Sequence, residues 1–288
     1  MLRLSKVLPA GLGLRFSRFV ADRIASHGDL PLVRAIRLNR WIVSGCELDS
    51  DGLDLAVRES LRFVAASLYT LFHNLDNPDA LQRQVIFSPE ADEMIALSQE
   101  KKRPALIVGV HLSNFDLVLQ AAAWRGMRVM GISLPEDAEI MDAVEWQHQF
   151  RRRSGMVMLP ASIATFRKAI RELRSGGMVA TGIDRPIPHP KYRPLFFSRP
   201  ASLPVHYVNL ALDGRAPLVF VTAIQQPDGR YKMCTSGEIW MKQFQDRDKE
   251  LLYNAEHVLE TAADYIRQAP DQWNILQPVW PDALSAMP

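Results

Sequence analysis

From residue 104 onward, short unbroken apolar runs alternate with longer segments whose apolar positions recur every three or four residues. Ala105-Leu-Ile-Val-Gly-Val110 is the clearest run, and its wholly apolar character predicts a strand buried on both faces. A helix is expected over Leu117–Arg125, stopped by Gly126, followed by a strand over Met127–Leu134 and a helix over Asp137–Arg153. Met156–Leu159 reads as a strand, Ser162–Arg174 as a helix closed by Gly176-Gly177, and Met178–Ile183 as a further strand. Leu203–Leu212 reads as another helix. Pro217–Ile224 and Arg230–Ser236 should pair across the turn Pro227-Asp228-Gly229, and Asp246–Gln268 forms the last long helix. The first hundred residues carry helical periodicity instead, over Leu14–Ser26, Leu32–Val43, Leu53–Phe72 and Glu90–Glu100. This grammar predicts an α/β fold: a mostly parallel central sheet flanked by helices, with a helical N-terminal layer. The expected division is residues 1–103 as that layer and residues 104–288 as the α/β core, packed as one compact unit.

Composition narrows the class without changing the fold. With 48% hydrophobic and 23% charged residues over 288 positions, the chain can bury a large core and is not of the disordered type. Cys46 and Cys234 are too few for a disulfide framework and lack metal-ligand spacing; small buried residues in a reducing compartment are the plain expectation. No run approaches the ~18 apolar residues of a spanning helix, and Pro9, Gly11 and Gly13 interrupt anything resembling a signal peptide. A soluble or peripheral protein is expected.

Charge does change the picture. Residues 1–40 carry eight basic side chains against Asp22 and Asp29, a local +6 hidden inside an overall +2. Leu12, Leu14, Phe16, Phe19, Val20 and Ile24 are interleaved with those arginines. Such a segment suits an anionic membrane surface, where each basic residue contributes roughly 1 kcal/mol. The competing expectation is a solvated helix that packs its apolar stripe on the domain. Nucleic acid is not expected as a partner, because the excess is local and no base-reading motif accompanies it.

The densest chemistry lies just after the most buried run, in Val108-Gly-Val-His-Leu-Ser-Asn-Phe-Asp116. The carboxyl ends of parallel strands are where ligand sites gather in open α/β sheets. His111 and Asp116 are five apart; on one regular helix they would point about 140° away from each other. They can meet only if His111 sits in the strand-to-helix turn and Asp116 in the first helical turn. A neutral imidazole can take the proton of an attacking hydroxyl, worth roughly 10²–10⁴-fold. A carboxylate on the other ring nitrogen fixes the tautomer and stabilises the imidazolium. No G-x-S-x-G elbow is present, so a serine nucleophile of that type is not expected. The plainer reading of His-x4-Asp is a histidine that caps a helix or is satisfied in the core. His27, His73, His148, His206 and His257 lie in ordinary contexts and read as structural or surface. His189, in a proline-rich loop, has no evident partner.

Four stretches in order carry a resemblance: Gly109-Val-His-Leu-Ser-Asn-Phe-Asp116, Arg152-Arg-Ser-Gly155, Gly176-Gly-Met-Val-Ala-Thr-Gly-Ile-Asp-Arg185 with Pro194-Leu-Phe-Phe197 and Ala201-Ser-Leu-Pro204, and Ile266-Arg-Gln-Ala-Pro-Asp-Gln-Trp273. Together they resemble the lysophospholipid acyltransferase superfamily, in its branch of lipid A lauroyl/myristoyl and phosphatidylinositol mannoside acyltransferases. The resemblance implies a membrane-associated O-acyltransferase that moves a fatty acyl group from a thioester, on coenzyme A or acyl carrier protein, to a glycolipid or phospholipid hydroxyl. It implies His111 as base and Asp116 as its partner. Asp184 either completes a charge relay or binds the acceptor, and Asn114, Arg153 and Arg185 bind substrate. No metal and no cofactor beyond the thioester co-substrate is implied, and the expected location is peripheral, on the cytoplasmic face of the cell membrane. Two positions depart from the family pattern: Pro186 replaces a second acidic residue, and Ser198 replaces a glycine after Phe197. Phe196-Phe197 reads as core or as the wall of an acyl channel, and Asp271-Gln-Trp273 as packing. A non-catalytic lipid-binding protein on the same fold is the alternative, and a thioesterase-like hydrolase a third.

Overall fold

Ser, Asp and Asn residues stand where helical periodicity begins, and the structure uses them as caps. A computed structural model describes residues 8–133 and 156–288. Its first helices are α1 (Ala10–Ala25), α2 (Pro31–Val43), α3 (Ser50–Asn74), α4 (Pro78–Arg83) and α5 (Pro89–Glu100). Asp49 accepts from the Gly52 amide to start α3, Asn77 from Ala80 to start α4, and Ser88 from Ala91 to start α5. Each such cap contributes about 1 kcal/mol.

Between α4 and α5 lies β1 (Val85–Ile86), too short for a periodic signal. The layer expected to be purely helical therefore lends one strand to the sheet. The remaining strands are β2 (Ala105–Gly109), β3 (Met130–Ser133), β4 (Val157–Pro160), β5 (Met178–Gly182), the small hairpin β6–β7 (Leu195–Phe196, Arg199–Pro200), β8 (Leu218–Gln225) and β9 (Tyr231–Ile239). They alternate with α6 (Phe115–Trp124), α7 (Ile163–Arg174), α8 (His206–Gly214) and α9 (Arg247–Gln268). The predicted strand from Met127 is real only from Met130, and the predicted helix from Leu203 starts at His206, after Pro204. The expected helix Asp137–Arg153, with His148 and Arg151–Arg153, lies outside the described residues.

Seven strands form the main sheet in the order β1-β9-β8-β2-β5-β3-β4. The run β8-β2-β5-β3-β4 is parallel throughout, while β9 returns antiparallel to β8 and β1 joins parallel to β9. The architecture is the expected α/β one.

Alternate residues of β2 feed opposite cores, as the pleat requires. Leu106 and Val108 enter one cluster with Leu173, Leu210, Val258 and Leu259 from α7, α8 and α9. Ala105 and Ile107 enter the other with Met94, Leu117 and Ala121 from α5 and α6. With both faces covered, β2 is an unbroken apolar run, and its carboxyl end is held at the centre of the sheet.

The N-terminal helix packs close to α3. A Cβ on Gly13 would stand 2.0 Å from the Tyr69 ring, so this approach needs glycine. The Tyr69 hydroxyl also donates to the Leu8 carbonyl at 2.9 Å. Among the described residues no helix is long and apolar enough to cross a membrane.

Candidate active site

The register of β2 on β5 builds the centre of the site. Gly109 pairs with Gly182, so the residues two beyond each strand end, His111 and Asp184, arrive side by side. His111 Nδ1 donates to Asp184 Oδ1 at 2.6 Å, and the His111 amide donates to Asp184 Oδ2 at 2.8 Å. Trp273 Nε1 adds a third donor to Oδ2 at 2.8 Å. Asp184 is fully buried, whereas the His111 side chain keeps 17% of its surface exposed. Burial alone would raise the Asp184 pKa. The charge His111 carries when protonated and the hydrogen bonds from the His111 ring, Trp273 and the His111 amide outweigh it and hold the group below its ordinary value.

This geometry reassigns the ring partner. Sequence spacing gave the orienting role to Asp116, but the nitrogen concerned is occupied by Asp184. Asp116 does lie in the first turn of α6, buried, as the strand-turn-helix reading required. With Nδ1–H committed to a carboxylate, Nε2 is left as the acceptor nitrogen, the tautomer a general base needs. Arg185 Nη2 stands 3.4 Å from that nitrogen.

The turn carrying His111 is strained and doubly strapped. Ser113 adopts φ 57°, a left-handed conformation unfavourable for a residue with a Cβ. Its amide donates to the Gln272 carbonyl at 2.7 Å, and the Asn274 amide donates to the His111 carbonyl at 2.7 Å. Leu112 and Trp273 form an antiparallel bridge between these bonds, and Asn274 Nδ2 donates to the Ser113 carbonyl at 2.6 Å. Asn114, expected to bind substrate, is buried. Its amide oxygen caps α6 through Leu117 N at 3.4 Å, and its nitrogen donates to Ser67 O at 2.9 Å. Its visible work is to hold the turn.

Small residues make room for the imidazole. The Phe115 ring meets it edge-on, with centroids 4.7 Å apart. A Cβ on Gly182 would approach His111 Cε1 to 3.3 Å, so any larger residue there would crowd the ring by a few tenths of an ångström.

Trp273 was read from sequence as packing alone. It does pack, against Phe196 and Trp280, but it also holds Asp184. A tryptophan near a cluster of aromatic residues gives no signal of that second duty. Phe196 is buried and stacks on Trp280, a core position. Arg153 lies outside the described residues. Cys46 and Cys234 are free and half-buried rather than buried. His189 carries φ 46° in its loop.

Away from this centre, the apolar residues of α1 divide between two faces. Leu14, Val20 and Ile24 are half-buried, whereas Leu12, Phe16 and Phe19 are 52–67% exposed and share one face with Arg23. Phe19, Val20, Arg23, Ile24, His27 and Leu30 line an open groove of about 310 Å³, to which no residue of the His111 turn contributes.

Two comparisons with known proteins bear on the site. Residues 57–281 match the family model described as bacterial lipid A biosynthesis acyltransferase. No curated protein matches the chain.

Proposed function

Because the chain belongs to the bacterial lipid A biosynthesis acyltransferase family, we propose that it moves a fatty acyl group from an acyl thioester to a hydroxyl of a glycolipid or phospholipid, with His111 as general base and Asp184 as its orienting carboxylate. Acyl transfer in lipid biosynthesis is the family's activity; the residues, donor, acceptor and location are our reading. The observation that carries it is the 2.6 Å bond from His111 Nδ1 to buried Asp184, which leaves Nε2 as a proton acceptor.

In this mechanism the acceptor hydroxyl gives its proton to His111 Nε2 as its oxygen attacks the thioester carbonyl. The imidazolium that forms is stabilised by Asp184, which stays ionised because its oxygens receive three donors. Collapse of the tetrahedral intermediate breaks the C–S bond, and His111 returns the proton to the departing thiolate. No serine or cysteine nucleophile is required. Coenzyme A and acyl carrier protein are both candidate carriers of the acyl group.

The exposed stripe Leu12, Phe16 and Phe19, beside Arg15, Arg18 and Arg23, supports peripheral attachment to the cytoplasmic face of an anionic membrane. Arg153 is proposed, as before, to bind a phosphate of donor or acceptor.

The test is transfer of label from acyl-CoA and from acyl carrier protein into lipid extract, comparing wild type with His111→Ala. Labelled lipid from wild type alone is the expected result. No product with either donor, from protein shown to be folded, would overturn the assignment.

A further inference from the structure

Beyond Asn274 the chain leaves regular structure. Residues 275–280 run between two short helical turns, Pro270–Gln272 and Pro281–Ala286, with no strand pairing among the described residues. Main-chain groups there still need partners. One side chain of α2 meets three of them. Asn39 Nδ2 donates to Ile275 O at 3.2 Å and to Gln277 O at 2.9 Å, while Asn39 Oδ1 accepts from Val279 N at 3.1 Å. Asn39 is only 2% exposed, so water does not compete for these bonds. The partners dictate which way its amide points. Reversed, it would turn an oxygen toward two carbonyls and an N–H toward another N–H.

This clamp closes one residue beyond Asn274, whose amide holds the His111 carbonyl and whose side chain holds Ser113 O. At its far end Val279 O accepts from Ser202 N, and Ser202 O accepts from Ile187 N, close after Asp184. The helix that carries Asn39 is itself anchored on two sides. Val33 and Ile36 pack with residues of α1 and α3, whereas Leu38 and Ile42 join the cluster that contains Trp273 and Ile275. Held at three points from a packed helix, residues 275–279 fix where the strap of Gln272, Trp273 and Asn274 can lie.

We propose that Asn39 is a positioning residue of the active site. From the helical N-terminal layer it sets the strap, and through the strap both the strained Ser113 turn and the Trp273 indole on Asp184. Its effect passes through the orientation of His111, so the proposal rests on the roles given above to His111 and Asp184. Without the Asn39 amide, three backbone groups lose their partners and the segment relaxes toward water. The strap then slackens at its C-terminal end, and the imidazole is held less firmly.

The test compares two variants with a control in the same helix. Asn39→Asp keeps the shape but sets a carboxyl group against two carbonyls. Asn39→Ser opens room for water beside the three backbone groups and guards against simple failure to fold. Ile36→Ala weakens the packing of α2 on α1 and α3 and leaves the clamp intact. Both Asn39 variants should lose about tenfold or more in kcat, the cost of one hydrogen bond to a charged group, while KM for the acyl thioester stays within about twofold. Ile36→Ala, assayed where it is fully folded, should keep wild-type kcat. Independently of turnover, the indole N–H of Trp273 is followed in proton–nitrogen correlation spectra, its signal identified by its loss in Trp273→Phe. It should move upfield and exchange faster with solvent in the Asn39 variants only. Wild-type kcat or an unmoved indole signal in folded Asn39 variants would overturn the proposal, as would an equal loss in Ile36→Ala. A wild type without transfer activity would overturn the acyltransferase reading instead, and the indole signal would then decide on Asn39 alone.

Discussion

At the carboxyl ends of β2 and β5, a partly exposed imidazole faces a buried carboxylate. At the head of α8, His206 is pressed against Phe166 and Tyr207, and its Nε2 has no hydrogen-bond partner among the described residues. Burial without a counter-charge pushes the His206 pKa down to about 4, so it is neutral across the physiological range. Around His111 burial has fallen on the aspartate instead, and that aspartate is kept ionised by its donors. The same side chain is thus held neutral as packing in one place and left able to accept a proton in the other. The difference lies in whether burial falls on the imidazole itself or on a carboxylate beside it.

The sharpest way to break the contrast is at Asp184. Asp184→Asn keeps the shape but removes the charge, and acyl transfer should fall by about 10³–10⁴-fold, with His111→Ala no better. Steady-state kinetics with the labelled thioester checks this, and a loss below tenfold would show that the carboxylate is not the orienting group.

Acid stability should separate the two regions next. The folded pKa of His206 lies below its unfolded value, so the unfolded chain takes the proton first as pH falls. Stability should be complete above about pH 6.5 and drop by about 2–3 kcal/mol on the way to pH 4. His206→Leu should flatten that window in urea titrations. Asp184, with its pKa depressed, adds stability that is present above the ordinary carboxylate range and lost only as pH falls below about 4. A His206→Leu protein that still weakens between pH 6.5 and 4.5 would assign the effect elsewhere.

A smaller effect is expected at Trp273→Phe, which keeps a ring in the aromatic cluster but deletes one of three donors to Asp184. Activity should fall by about tenfold, the cost of one hydrogen bond to a charged group. Smallest of all should be Ser198→Gly. Phe197 and Ser198 link β6 to β7 as a two-residue turn with φ 49° and 58°, where a Cβ is a burden. The glycine should raise stability by about 1 kcal/mol and leave both histidines unaffected, measured by thermal melting beside activity.

The sequence made the sheet and its helices legible because β2 is a wholly apolar run and Ser162 and Asp246 stand at helix starts. It located His111 for the same reason: a histidine directly after the most buried run. Spacing did not disclose the neighbour of His111; only the resemblance offered Asp184, for a charge relay or for the acceptor. Asp116 is close in the chain, whereas Asp184 is 73 residues away and meets His111 only because β5 lies beside β2 in that register. Strand adjacency is a tertiary choice that periodicity does not encode. The two-residue β1 escaped because alternation cannot be read in two positions, and the indole of Trp273 because its hydrogen bond spans 89 residues.

The strap of Gln272, Trp273 and Asn274 has a consequence for synthesis of the chain. Every described strand of the sheet has been made by Ile239, yet the strained Ser113 turn lacks its strap and Asp184 its third donor until residues 272–274 have emerged. A growing polypeptide can therefore assemble its sheet while its imidazole is still loosely held. The order of translation sets the reactive loop last.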